Sequence, residues 1–101
     1  MVLGICRVEL YIPSNQSLKE KRQVLNSIKS RIKNRFNVSI AEIDNLETWQ
    51  RSTIGIAIIS NDSKHVNQEL SKVINHIEYS GRVSILDYGI ELTSLNHGEL
   101  K

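Results

Sequence analysis

A chain of 101 residues with 40% apolar and 24% charged residues is long enough for one domain and one core, burying roughly 65% of the surface its unfolded form exposes. No apolar run approaches the roughly 20 residues of a membrane-spanning helix, and a single cysteine excludes an internal disulfide and suits a reducing cytoplasm. The net charge of +2 conceals a division: between Lys19 and Arg35 lie seven Lys/Arg and one Glu, a balance of +6, against six basic and ten acidic residues elsewhere, a balance of −4. A charge division of this kind points to an anionic partner.

The opening "MVLGICRVEL" has charges inside its apolar stretch and no basic region before it, so it does not read as a signal peptide. Alternation predicts a first strand over Val2–Ile12. Val2, Cys6, Val8, Leu10 and Ile12 share one face; Leu3, Ile5, Arg7, Glu9 and Tyr11 share the other. Pro13 and the polar "SNQS" end it.

"SLKE" has the form of a capping box: the Ser17 hydroxyl accepts from the N–H of Glu20 while the Glu20 carboxylate reaches back to the N–H of Ser17. Leu18, Leu25, Ile28, Ile32 and Phe36 follow at the spacing of one buried helical stripe. Lys19, Arg22, Lys29 and Lys33 cluster along one flank, with Asn26 between them. Lys21, Arg31 and Arg35 fall near the other border of the stripe and are expected to snorkel, methylenes on the core and charges in water.

"NVSIAEID" (37–44) predicts a strand, "NLET" a turn and "RSTIGIAIIS" (51–60) a third strand, together a hairpin. A second helix follows, capped by Asp62 or Ser63, burying Val66, Leu70, Val73 and Ile77 and closed by Gly81. "RVSILDYGIELTSL" is the last strand. Residues 1–95 form the domain and 96–101 a polar, frayed tail. The order β-α-β-β-α-β with right-handed crossovers predicts a ferredoxin-like sandwich. Its four-stranded antiparallel sheet has strands one and three in the centre and both helices on one face.

The other face is left open. Ile54, Ile56 and Ile58 point under the helices, while Arg51, Thr53, Gly55 and Ala57 point away, with Arg7 and Glu9 of the neighbouring strand beside them. Alternation carried back through the turn sets Trp49 at the edge of this face. Two roles are open for it: a plug folded over the hairpin and stacked on an arginine, or an anchor displayed to a partner. Arg7, Glu9 and Arg51 read as a cross-strand ion cluster rather than a catalytic one. An RNA-recognition motif stacks bases on aromatics of the central strands, but Arg7, Glu9, Thr53 and Gly55 occupy those positions, and only Tyr11 and Trp49 lie nearby.

Catalytic and metal chemistry find no support in the pattern. His65 and His76 are eleven residues apart on one helix, about 16 Å, too far to share an ion, and His97 stands in the tail. Cys6 faces the core, where a thiol is inert. No Gly-rich phosphate loop is present. The basic helix is the stronger signal, because it lacks the interleaved glutamates of a helix built for stability. Its flank suits phosphate contact without base readout.

The segments "SLKEKR", "RFNVSIAE" and "WQR", in a chain that runs on to "STIGIAIISND" and a helix, resemble the YlxP-like family of small bacterial proteins of unknown function, over about Ile5 to Tyr88. The residues that match its characteristic segments are Ser17, Lys19, Lys21, Arg22, Phe36, Asn37, Glu42, Trp49, Gln50 and Arg51. The resemblance implies a ferredoxin-like fold. It also implies a link to small-subunit assembly or RNA binding, since the family's genes tend to lie beside those for translation initiation and ribosome maturation. The expectation is therefore a cytoplasmic, non-enzymatic factor binding ribosomal RNA or a ribosomal precursor, without cofactor, metal, membrane or small-molecule substrate. Lys19, Arg22, Lys29 and Lys33 would hold phosphates, and Arg51 and Trp49 would add a second contact. The alternative is a homodimeric interaction module using the open sheet face.

Overall fold

A computed structural model describes residues 1–13 and 15–96. His97 and the tail after Asn96 lie outside the described residues. The elements are β1 (Val2–Tyr11), α1 (Leu18–Arg35), β2 (Ser39–Asp44), β3 (Arg51–Ser60), α2 (Ser63–Tyr79) and β4 (Ser84–Ser94). The sheet runs β2-β3-β1-β4 with every neighbouring pair antiparallel. This is the expected ferredoxin-like sandwich with β1 and β3 central. No helix among the described residues is long and apolar enough to cross a membrane.

Local signals account for most boundaries. The Ser17 hydroxyl accepts from the N–H of Glu20 at 3.1 Å, as a capping box requires. The return bond differs from expectation: the Glu20 carboxylate accepts from the N–H of Gln16, at 2.8 Å, rather than from Ser17. The Asp62 carboxylate caps α2 by accepting from the N–H of Lys64 at 3.0 Å. Gly81 follows α2 at φ +72°, the left-handed conformation that ends helices and that glycine adopts without strain.

The core lies between the sheet and the two helices. Val8, Leu10, Ile54, Ile56 and Ile58 from the central strands meet Val24, Leu25, Ile28 and Ile32 of α1 and Val66, Leu70, Val73 and Ile77 of α2. Each such side chain contributes on the order of 1.5–3 kcal/mol when fully buried. Gly4 belongs to the same face. A Cβ there would collide with Val66 Cγ1 and press on Leu70 Cδ1, so its hydrogen allows α2 to lie directly on β1.

Two irregularities break the sheet at one end. The register slips between Glu42 and Asp44 on β2 and beside Glu9–Leu10 where β1 meets β4. Bulges re-aim side chains. Here the first one leaves Glu42, opposite Ile54, under the helices, while the Ile43 side chain lies over Gly55 on the open face.

Candidate nucleic-acid interface

Helix α1 carries two kinds of cation. Lys19, Arg22, Lys33, Arg31 and Arg35 are exposed, and Lys29 is half-buried. Among the described residues the ion pairs are Arg7–Glu9, Arg7–Asp87, Lys21–Glu42 and Lys72–Glu69. None of them draws a cation from the flank Lys19, Arg22, Lys29 and Lys33. That flank runs about 21 Å along the helix at 1.5 Å per residue, enough to track several phosphates. Lys33 and Arg35 in the last turn also complement the negative end of the helix dipole.

Lys21 corrects the expectation that it snorkels. It is 1% exposed, and its ammonium lies 2.8 Å from Glu42 Oε2 and donates to the backbone carbonyl of Asn45. The same carboxylate oxygen accepts from the Ser52 hydroxyl at 2.7 Å, and Ser52 is wholly buried. The physical reason is position. Residues 21, 25, 28 and 32 make one helical stripe, so Lys21 stands where an apolar side chain would. Its charge cannot reach water without leaving the stripe, and Glu42, placed inward by the β2 bulge, meets it there.

The β2–β3 loop is built onto this pair. Asn45 has φ +61°, a left-handed conformation that asparagine tolerates better than most residues. Its carbonyl also accepts from the N–H of Thr48 at 3.1 Å, and its side-chain amide donates to Thr53 Oγ1 at 3.0 Å. Buried Asn15 donates to the carbonyl of Trp49 at 3.0 Å. The Gln50 amide donates to the carbonyls of Pro13 and Asn15, at 3.3 Å each, and its own carbonyl accepts from the N–H of Ile12 at 2.9 Å. The backbone of residues 45–50 is thus tied to α1, β3 and the β1–α1 connection, yet the Trp49 residue is 52% exposed. The backbone of Trp49 is thus anchored while the residue stays about half exposed. Arg51 is exposed at the start of β3, opposite Tyr11.

The expected Arg7–Glu9–Arg51 cluster needs a second correction. Arg7 binds Glu9 at 2.9 Å and reaches across to Asp87 of β4 at 3.4 Å. The hydrogen bonds it donates to Glu9 and then to Asp87 hold its guanidinium above its ordinary pKa. Arg51 takes no part, because the register sets Arg7 against Gly55 and Arg51 four residues away against Tyr11. Glu9 also accepts from the Thr53 hydroxyl at 2.7 Å. A polar chain therefore crosses the sheet end from Asp87 through Arg7, Glu9, Thr53 and Asn45 to Lys21 and Glu42. Reasoning on sequence missed Glu42, Asn45, Ser52 and Asn15 as parts of this assembly. A signal was present: Lys21 keeps the stripe spacing, and Glu42 keeps the inward parity of Ile40.

Cys6 is buried, and burial pushes its thiol up to about 11, in keeping with an inert core cysteine. His65 is exposed, and His76 is half-buried edge-on to Phe36. No group of metal-binding side chains occurs among the described residues.

The open face of the sheet is apolar at its centre. A groove of about 520 Å³ lies over Ile5, Ala41, Ile43, Gly55, Ala57 and Gly89. Ile5, Ile43 and Ile59 are 43%, 55% and 65% exposed.

Comparison with known proteins agrees with this architecture. A de novo designed protein with ferredoxin fold, LFR1, superimposes with a TM-score of 0.56 at 10% identity, covering 96% of this chain and 90% of its own. The designed protein Foldit4 gives 0.52 at 10% identity over 93% and 99% of the two chains. These likenesses concern the fold alone. In sequence, the chain is 43% identical over 77 residues to the uncharacterized protein YlxP of Bacillus subtilis, covering 76% of this chain and 84% of that one. The family described as "Protein of unknown function (DUF503)" matches residues 3–90, so the resemblance read from "SLKEKR" and "WQR" holds, and the chain belongs to the DUF503 family.

Proposed function

We propose that this protein is a cytoplasmic, non-enzymatic RNA-binding accessory factor that acts on ribosomal RNA or a ribosomal precursor during small-subunit maturation or translation. One observation carries the reading: the flank Lys19, Arg22, Lys29 and Lys33 has no carboxylate partner among the described residues, while Lys21 of the same helix does. Like charges along an exposed flank repel one another, and a polyanion relieves that cost by giving up its own counterions. Folded RNA is the favoured partner, because its shape is read through phosphates and 2′-hydroxyls without a recognition helix. Trp49 and Arg51 supply a second contact, stacking and charge together.

Arg22→Glu with Lys29→Glu tests this. The double variant should bind small-subunit ribosomal RNA at least about tenfold more weakly at fixed salt, and the slope of log affinity against log salt should flatten by about 2. Unchanged affinity would remove this surface from consideration.

The exposed isoleucines of the open face support a second reading, a homodimer joined sheet to sheet, since an apolar patch rimmed by polar residues marks interaction sites. Sedimentation equilibrium at high micromolar concentration decides it. A monomer mass throughout would leave the reading without support.

A further inference from the structure

A lysine and a glutamate held between a helix and a sheet are a costly way to fill a core. Desolvation of both charges consumes most of their attraction, and an apolar pair of similar volume is often as stable or more so. Something other than stability has to account for Lys21, which is 1% exposed in a stripe otherwise made of valine, leucine and isoleucine. What distinguishes the ammonium from a methyl group is its second bond, to the carbonyl of Asn45. That residue opens the loop carrying Trp49 and is itself fixed by the φ +61° turn and by Thr53.

We propose that the Lys21–Glu42 pair is a positioning latch: it clamps the first turn of the β2–β3 loop onto α1, so that the Trp49 indole and the Arg51 guanidinium are held outward as one rigid contact. As the second contact of an RNA surface the inference rests on the reading above; as a latch on the loop it stands independently. The loop's other ties, Asn15 to the Trp49 carbonyl and Gln50 to Pro13 and Asn15, secure its far end. Lys21 secures the near end, where the chain reverses. With both ends fixed, little side-chain or loop entropy remains to be lost on binding.

The test is the double variant Lys21→Met with Glu42→Gln. It keeps volume, leaves an acceptor for Ser52 and removes both charges together. It should unfold cooperatively, as a neutralised pair permits. Amide exchange in residues 45–50, the N–H of Thr48 above all, should accelerate about tenfold or more, and the emission of the only tryptophan should shift and depolarise. Affinity for small-subunit ribosomal RNA should fall about tenfold, to the level of Trp49→Ala, with the salt slope of the α1 flank unchanged. A folded double variant with parental loop exchange and emission overturns the latch, whatever happens with RNA. A double variant that no longer folds also overturns it, since the pair would then belong to the core. Loosened loop residues with undiminished RNA affinity support the latch and refute its part in RNA contact. Failure of the RNA reading itself registers separately, through Arg22→Glu with Lys29→Glu.

Discussion

Lys21 and Arg22 are neighbours in sequence with opposite surroundings. Arg22 stands in water on a flank without a carboxylate partner among the described residues, and Lys21 is sealed against Glu42, Ser52 and the Asn45 carbonyl. A step of about 100° around the helix separates them, and that rotation decides whether a positive charge is offered to a partner or spent internally. Counting charges along α1 therefore overstates what the helix displays by one cation. The difference also separates two functions of charge in one element: a screened, salt-dependent surface field, and a desolvated pair in which loss of one partner strands the other's charge.

Alanine at each position tests the contrast most severely. Lys21→Ala leaves the Glu42 carboxylate beneath the helices without its cation and should cost about 3 kcal/mol or more. Arg22→Ala should change stability by no more than about 0.5 kcal/mol. Urea unfolding of both variants measures the gap, and equal midpoints would mean that the buried pair carries no special weight. Salt sharpens the same contrast with a smaller effect. Raising ionic strength should weaken RNA binding by the parent steeply, while the stability difference between parent and Lys21→Ala should change little, since buried pairs are poorly screened. The smallest effect concerns the other buried titratable group. Burial raises the Cys6 thiol in the folded protein from 9.0 to about 11. The protonated form is therefore favoured by folding: its contribution is fully present below pH 9 and is lost as pH rises through about 11. Stability should decline over that alkaline window in the parent and less so in Cys6→Ala, and the folded thiol should resist alkylation at pH 8.

Much of the fold was legible because its causes are local. Alternation in β1 and β3 sorts their residues between the two faces as the registered strands do, and the hydroxyl and carboxylate caps at Ser17 and Asp62 mark both helix starts. Stripes at helical spacing identify Leu25, Ile28 and Ile32 of α1 and Val66, Leu70, Val73 and Ile77 of α2 as buried, whereas Lys21, Val24 and Ile74 are buried beside them and Leu18 and Phe36 only half-buried. The site was legible only in part. The exposed flank follows from helical geometry, whereas the partners of Lys21 and Arg7 come from elements far along the chain; Arg7 and Asp87 are 80 residues apart. No periodicity encodes which of several acids a cation will meet.

The sequence by itself determined the order of the elements, the central place of β1 and β3 and the basic character of α1, since these depend on period, caps and composition within short windows. Only the tertiary structure decided that Lys21 turns inward to Glu42, that Arg7 pairs with Asp87 instead of joining Arg51, and that Trp49 stands about half exposed on an anchored loop. Those outcomes follow from two bulges and the docking of α1 against the sheet end. A shift of a single residue in strand register transfers a side chain to the opposite face, and so changes its partner, its solvation and the use to which its charge can be put.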